Sequence, residues 1–160
     1  DPENLYSIDF FLNPLPLLSL VLMGLNDHWF KHSFPSWWTG KLSDFMGMFY
    51  FPLQLAAFVI LLKNSGTWLY QRAVKKTTSM AQEAPLRKWV LSRPLLLGCI
   101  FIAALCLASV KLSQYANQWI TEFFHSYLFS IRMVMDPTDL WALSMLPLAY
   151  FYGVLFIPPQ

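Results

Sequence analysis

Two aspartates recur in matched surroundings. Ser43-Asp44-Phe45-Met46-Gly47-Met48 leads to Pro52-Leu53, and Thr138-Asp139-Leu140-Trp141-Ala142-Leu143 leads to Pro147-Leu148, with eight residues from Asp to Pro in each. Over the eleven aligned positions three are identical. Each acid heads a long uncharged apolar run. A carboxylate placed there is costly in lipid and often has a task. If two related halves pack symmetrically, Asp44 and Asp139 meet, and two close carboxylates share a proton or bind a cation. His28 and His32 offer a second chemistry, because a spacing of four puts both rings on one helical face, a known zinc arrangement. His28, His32 and Asp44 would supply the three ligands of a catalytic site with one open position. With Asp139 these are the candidate catalytic residues and the candidate ligands of a divalent cation.

A plainer reading accounts for the same acids. Asp136-Pro137-Thr138-Asp139 has the form of a helix start, with Asp136 as N-cap, Pro137 at the first helical position and Asp139 in the first turn. Ser43, Asp136 and Thr138 are therefore capping candidates, with Thr39 as the other choice at the first motif. Lys41 lies three residues before Asp44 and Arg132 four before Asp136, close enough for local ion pairs. No Gly-x-Ser-x-Gly, Gly-rich phosphate loop or Cys-x-x-Cys occurs.

These residues need elements to hold them, and the composition says which. Of 160 residues, 56% are hydrophobic and 12% charged. Soluble domains carry about 25% charged residues, so lipid is the expected surrounding. A net charge of +2 without a basic, aromatic-laced run gives no case for nucleic acid. Cys99 and Cys106 lie in one apolar run, about 10 Å apart along a helix, too far for a mutual disulfide. The opening has no basic n-region, so no signal peptide is expected.

The runs at residues 10–26, 45–62, 94–110 and 140–157 are each long enough to span a bilayer and contain no charged side chain. The fold class expected is an all-α membrane protein. It is one integral membrane domain of four spans, in two parallel repeats related by an axis along the membrane normal. Prolines at Pro14, Pro16, Pro52 and Pro147 are expected to kink the spans. Gly98, Ala103, Ala104, Ala108 and Ser109, with Ala104 and Ala108 as a small-xxx-small pair, make span three the expected central packing helix or an oligomer seam.

Seven of the eleven Lys and Arg fall between Lys63 and Arg93. The basic loop 63–93 and both termini are thus expected in the cytoplasm, with outer loops at 27–44 and 111–139. Trp29, Trp37, Trp38, Trp119 and Trp141 would mark the outer interface, and Trp68 and Trp89 the inner one. The stretch from Tyr115 to Met135 reads as an amphipathic helix lying on the outer surface, with Trp119, Ile120 and Phe123 on one face.

The function expected is that of an accessory or binding subunit in the membrane of a bacterial cell, the inner membrane. Its partners would be the bilayer and either a second membrane protein or further copies of itself. A metal-dependent hydrolase or transferase acting on a lipid or isoprenoid phosphate is the alternative. An oligomeric transporter or channel is a third, weakened by spans that carry no ionisable group at depth.

Overall fold

Pro14 decides the first break in the chain. It lacks an N–H and pushes the preceding residue out of the helical region, and Asn13 is extended (φ −67°, ψ 153°). The expected span 10–26 is therefore divided into α1 (Asp9–Leu12) and α2 (Pro14–Leu25). Residues 8–77, 89–127 and 135–158 are described by the structure, a computed structural model. All regular structure among them is helical. A π-helical turn, Asn26–Phe30, continues α2 into the short α3 (Lys31–Ser33).

The second helix is much longer than expected. α4 covers Trp37–Thr77, 41 residues, which is about 60 Å of helix against a bilayer core of about 30 Å. It starts at a reciprocal cap: the Thr39 N–H donates to Ser36 Oγ at 3.3 Å, and the Ser36 N–H donates to Thr39 Oγ1 at 2.9 Å. Ser43 thus lies inside the helix and is not its cap, because Ser36 has already supplied one two turns earlier. α5 (Arg93–Leu112) follows the expected limits closely and opens with Pro94 in its first turn. Ser113 separates it from α6 (Gln114–Tyr127), the expected amphipathic helix. The continuation of that helix at 128–134, with Arg132, lies outside the described residues, as do His125's side chain and loop residues 78–88.

The last run differs from a uniform α-helix. Pro137–Ser144 is a 3-10 helix, followed by α7 (Met145–Val154). Asp136 caps it as expected, its side chain accepting the Thr138 N–H. The two matched motifs therefore adopt different backbones: Asp44 sits in continuous α-helix and Asp139 in the 3-10 segment.

α2, α5 and α7 pack on α4, and α5 packs on α7. The ends are fixed by hydrogen bonds. Asn26 Nδ2 donates to the Thr39 carbonyl and to Ser43 Oγ, both at 2.7 Å. At the other end, Tyr152 Oη donates to the Phe10 carbonyl at 2.8 Å, and Asn64 pairs with the backbone of Trp89. The chain thus runs up and down through one bundle. Its main core joins Phe49, Leu53, Ala56 and Ile60 of α4 to Leu96, Cys99, Ala149 and Tyr152. A second core of Met48, Ala103, Leu107, Ala142 and Leu146 adjoins it. The small residues at the α5 contact are Cys99 and Ala103, 3% and 0% exposed, with Ala104 partly buried against the second core. Among the described residues two stretches, Trp37–Ala73 and Arg93–Leu112, are long and apolar enough to cross a membrane.

Gly153 closes the α5–α7 contact. A Cβ there would stand 2.6 Å from Leu96 Cδ2 and 3.1 Å from Cδ1, and Leu96 is fully buried. Gly153→Ala is expected to cost about 1–3 kcal/mol through overpacking. A second change, Leu96→Val, should return part of the loss. Thermal unfolding of the detergent-solubilised single and double variants reads both effects.

Candidate functional site

The buried face of α5 runs through Leu96, Cys99, Ala103 and Leu107 and ends on Lys111. The same helical period that builds the core therefore carries a lysine onto the core face. Lys111 is 9% exposed, Lys41 of α4 is 4% and Asp139 is 6%. Burying charges in this way is tolerable only when they are paired and hydrogen-bonded.

The pairing is centred on Asp139. Lys41 Nζ donates to its Oδ1 at 2.5 Å, and Lys111 Nζ donates to its Oδ2 at 2.5 Å. Each oxygen thus has its own ammonium, from a different helix. Lys41 also reaches Thr138 Oγ1 at 2.6 Å and Asp136 Oδ2 at 3.1 Å. Lys111 also reaches Asp44 Oδ2 at 3.3 Å. The dipoles favour two of these placements: Lys111 is in the last turn of α5 and Asp139 in the first turn of the 3-10 helix. Lys41, near the positive end of α4, depends on its acid partners instead.

This corrects the local Lys41–Asp44 pair expected from the sequence, while the Arg132–Asp136 pair lies outside the described residues. Lys41 does not neutralise the nearby Asp44; it crosses to Asp136 and Asp139, while Lys111 takes Asp44. Asp44 and Asp139 do converge, and the cation between them is Lys111 from the chain itself.

A second polar group stands beside the first. Asp27 Oδ1 accepts from Lys31 Nζ and from Ser43 Oγ, each at 2.5 Å. Ser43 in turn accepts from Asn26. His28 and His32 are exposed on the same short stretch. Among the described residues no three of His, Cys, Asp and Glu are grouped as a metal site, so the structure does not gather His28 and His32 with Asp44 and Asp139. A divalent cation at Asp139 would have to displace two ammonium groups. Below both polar groups lies a cleft of about 590 Å³, bordered by α2, α4, α5 and α6.

Lys111 and its role were missed at the sequence level. The signal was present in the four-residue steps from Cys99 through Ala103 and Leu107 to Lys111, which place it on the packing face. Asn26 was missed as well, although a fully buried Asn next to the end of an apolar run is a natural inter-helix tie.

Asp139→Asn leaves two ammonium groups facing a neutral amide. It is expected to cost about 3–5 kcal/mol, the range for breaking a buried ion pair, and clearly more than Asp44→Asn. Chemical unfolding in detergent measures the difference. Asp136 gives a pH signature. The Thr138 hydroxyl and N–H, with Lys41, hold its carboxyl down to about 2, against an ordinary value near 3.9. A depressed acid stabilises the fold above its unfolded pKa and loses that contribution as pH falls through the folded one. The gap in unfolding midpoint between wild type and Asp136→Asn should therefore close between about pH 4 and pH 2. No protein-family model, curated protein or solved structure matches this chain.

Proposed function

We propose that this protein is a multi-pass membrane protein of the bacterial inner membrane. It crosses the bilayer four times, and it binds a partner as an accessory subunit rather than transforming a substrate. The observation that carries the reading is the inverted distribution of side chains. The centre of the charged cluster, Lys41, Lys111 and Asp139, is buried, while large apolar side chains face outward. Within the two spanning windows only 44% and 28% of residues are buried. Phe58, Leu61 and Leu62 of α4 and Phe101, Ile102 and Leu105 of α5 are all exposed. A soluble bundle would cover such faces.

The aromatic residues support the same arrangement. All seven Trp are exposed, from 45% at Trp89 to 74% at Trp141. At the basic end Lys63 stands 3.8 Å from the Trp89 ring centre, and Arg72 is 5.0 Å from that of Trp68. Such pairs suit the cytoplasmic headgroup layer. At the other end α6 turns Tyr115 and Trp119 outward, at 86% and 68% exposure. Exposed aromatics of this kind anchor in an interface or in a partner.

Binding is favoured over hydrolysis by the donor set. Asp139 has both oxygens held by lysines, so it is poorly placed as a base or a metal ligand. In this reading the cluster holds the bundle, and the exposed aromatic belt meets the membrane and the partner.

Two results test the proposal. The protein should stay in membranes after alkaline extraction, and a reporter inserted at residue 80 should read cytoplasmic. Solubilised gently, it should run in a species larger than its own 18.6 kDa that contains a second kind of chain. Trp119→Ser should dissociate that species without lowering the unfolding midpoint. Release by alkaline extraction would remove the membrane reading, and a species made only of this chain would remove the accessory one.

A further inference from the structure

The cleft beside the charged cluster is lined in part by residues that tie the helices, among them Lys111 and Asp139, yet its volume is left open. Its volume, about 590 Å³, lies in the range of small-molecule sites. Its chemistry changes along its length. Asp27 and Lys31 line it from one side, and Asp44 and Lys111 from the other. Farther along α4 and α5 the lining becomes mostly apolar, with Met48, Phe51 and Leu107, and with Tyr50 and Gln54 as its polar members. Two glycines keep the α4 wall low. A Cβ at Gly40 would meet nothing within 4 Å, and one at Gly47 would only touch Met23 Sδ at 3.7 Å. Distorted helices flank the polar mouth, with Asp27 on the π-helical turn and Asp139 on the 3-10 segment. Such irregular turns often sit at functional sites.

A polar mouth over apolar walls suits an amphiphile. Charge narrows the head group. Among the described lining residues Lys31 and Lys111 stand with Asp27, Asp44 and Asp139, two positive charges against three negative. Both signs are open to solvent: Lys31 is 37% and Asp27 43% exposed, and Asp44 is 27% exposed. A purely anionic head would meet an excess of carboxylate. A quaternary ammonium has no N–H to donate to one. A primary ammonium joined to a phosphate satisfies both signs, donating to Asp44 or Asp27 and accepting from Lys31. We infer that the cleft binds one amine-headed phospholipid, with its phosphoethanolamine group at Asp44 and its acyl chain along Phe51 and Leu107. The inference rests on the membrane reading, which makes lipid the medium around the cleft.

Native mass spectrometry of the detergent-purified protein tests it. The probes are three lysophospholipids of equal chain length, carrying phosphoethanolamine, phosphocholine or phosphoglycerol. One phosphoethanolamine lipid should bind per chain, with about a tenfold preference over each of the others. Asp44→Asn should abolish the preference. Gly47→Leu and Gly40→Leu, which grow into the cleft without a backbone clash, should reduce uptake of all three. Equal uptake of the three heads overturns the inference, and so does a preference for phosphoglycerol. Unchanged binding in both leucine variants also overturns it. If neither leucine variant folds, a preference that survives Asp44→Asn overturns it alone. Alkaline extraction judges the membrane reading separately: a chain that stays in the membrane and shows no head-group preference loses only this inference.

Discussion

Asp139 holds two ammonium groups that come from two different helices, and the geometry of the bundle follows from that demand. Lys41 enters from the start of α4 and Lys111 from the end of α5. Three helix ends must therefore come together at one level. A buried carboxylate with one partner would leave an ammonium stranded, and a stranded charge in a low-dielectric setting costs several kcal/mol. The centre of the cluster, Asp139, therefore tolerates neither loss nor a large displacement. This explains why it is surrounded by further ties, with Thr138 and Asp136 on Lys41 and Asp44 on Lys111.

The backbone adjusts to serve this end of the molecule. A 3-10 helix rises about 2.0 Å per residue against 1.5 Å for an α-helix. Eight residues of it, Pro137–Ser144, move Asp139 several Å relative to an α-helical course. The π-helical turn at Asn26–Phe30 widens the opposite strut of the mouth. Below that level the packing is ordinary. Small residues at Ala56, Ala57, Cys99, Ala103 and Ala149 let the helices approach, and Phe49 meets Tyr152 edge to face at 5.6 Å. Specific polar contacts thus fix the two ends, while apolar close packing fills the middle.

Much of the fold was legible because periodicity and proline act locally. α5 matched its run closely, since an apolar stretch bounded by Pro94 and a change of composition leaves few alternatives. Asp136 as a cap followed from the Asp-Pro-Thr sequence alone. The limits of α4 were not legible, because Ser36 and Thr39 begin the helix before the apolar run does and the charged residues after Leu62 continue it. The choice of 3-10 helix after Pro137 was invisible for a different reason: Asp44 and Asp139 occupy similar sequences, and only tertiary demand separates their backbones. The crossed ion pairs were hidden for the same reason. Local spacing favours Lys41 with Asp44, whereas the bundle brings Asp139 nearer and buries it more deeply.

The two aspartates of the recurring motif end in unequal positions, and that inequality separates structure from binding. Asp139 is buried, and both its oxygens are engaged at 2.5 Å by lysines from two helices. Asp44 lies at the edge of the cluster, more exposed and 3.3 Å from the same Lys111. A lysine shared between two acids neutralises the nearer one more completely, because the Coulomb term falls with distance. Of the two motif aspartates Asp44 is therefore the less tightly paired, and it too lines the cleft. A charge held there meets a ligand cation without unmaking the contacts that hold the helices together. The same network can then hold the bundle closed through Asp139 and present one carboxylate outward through Asp44.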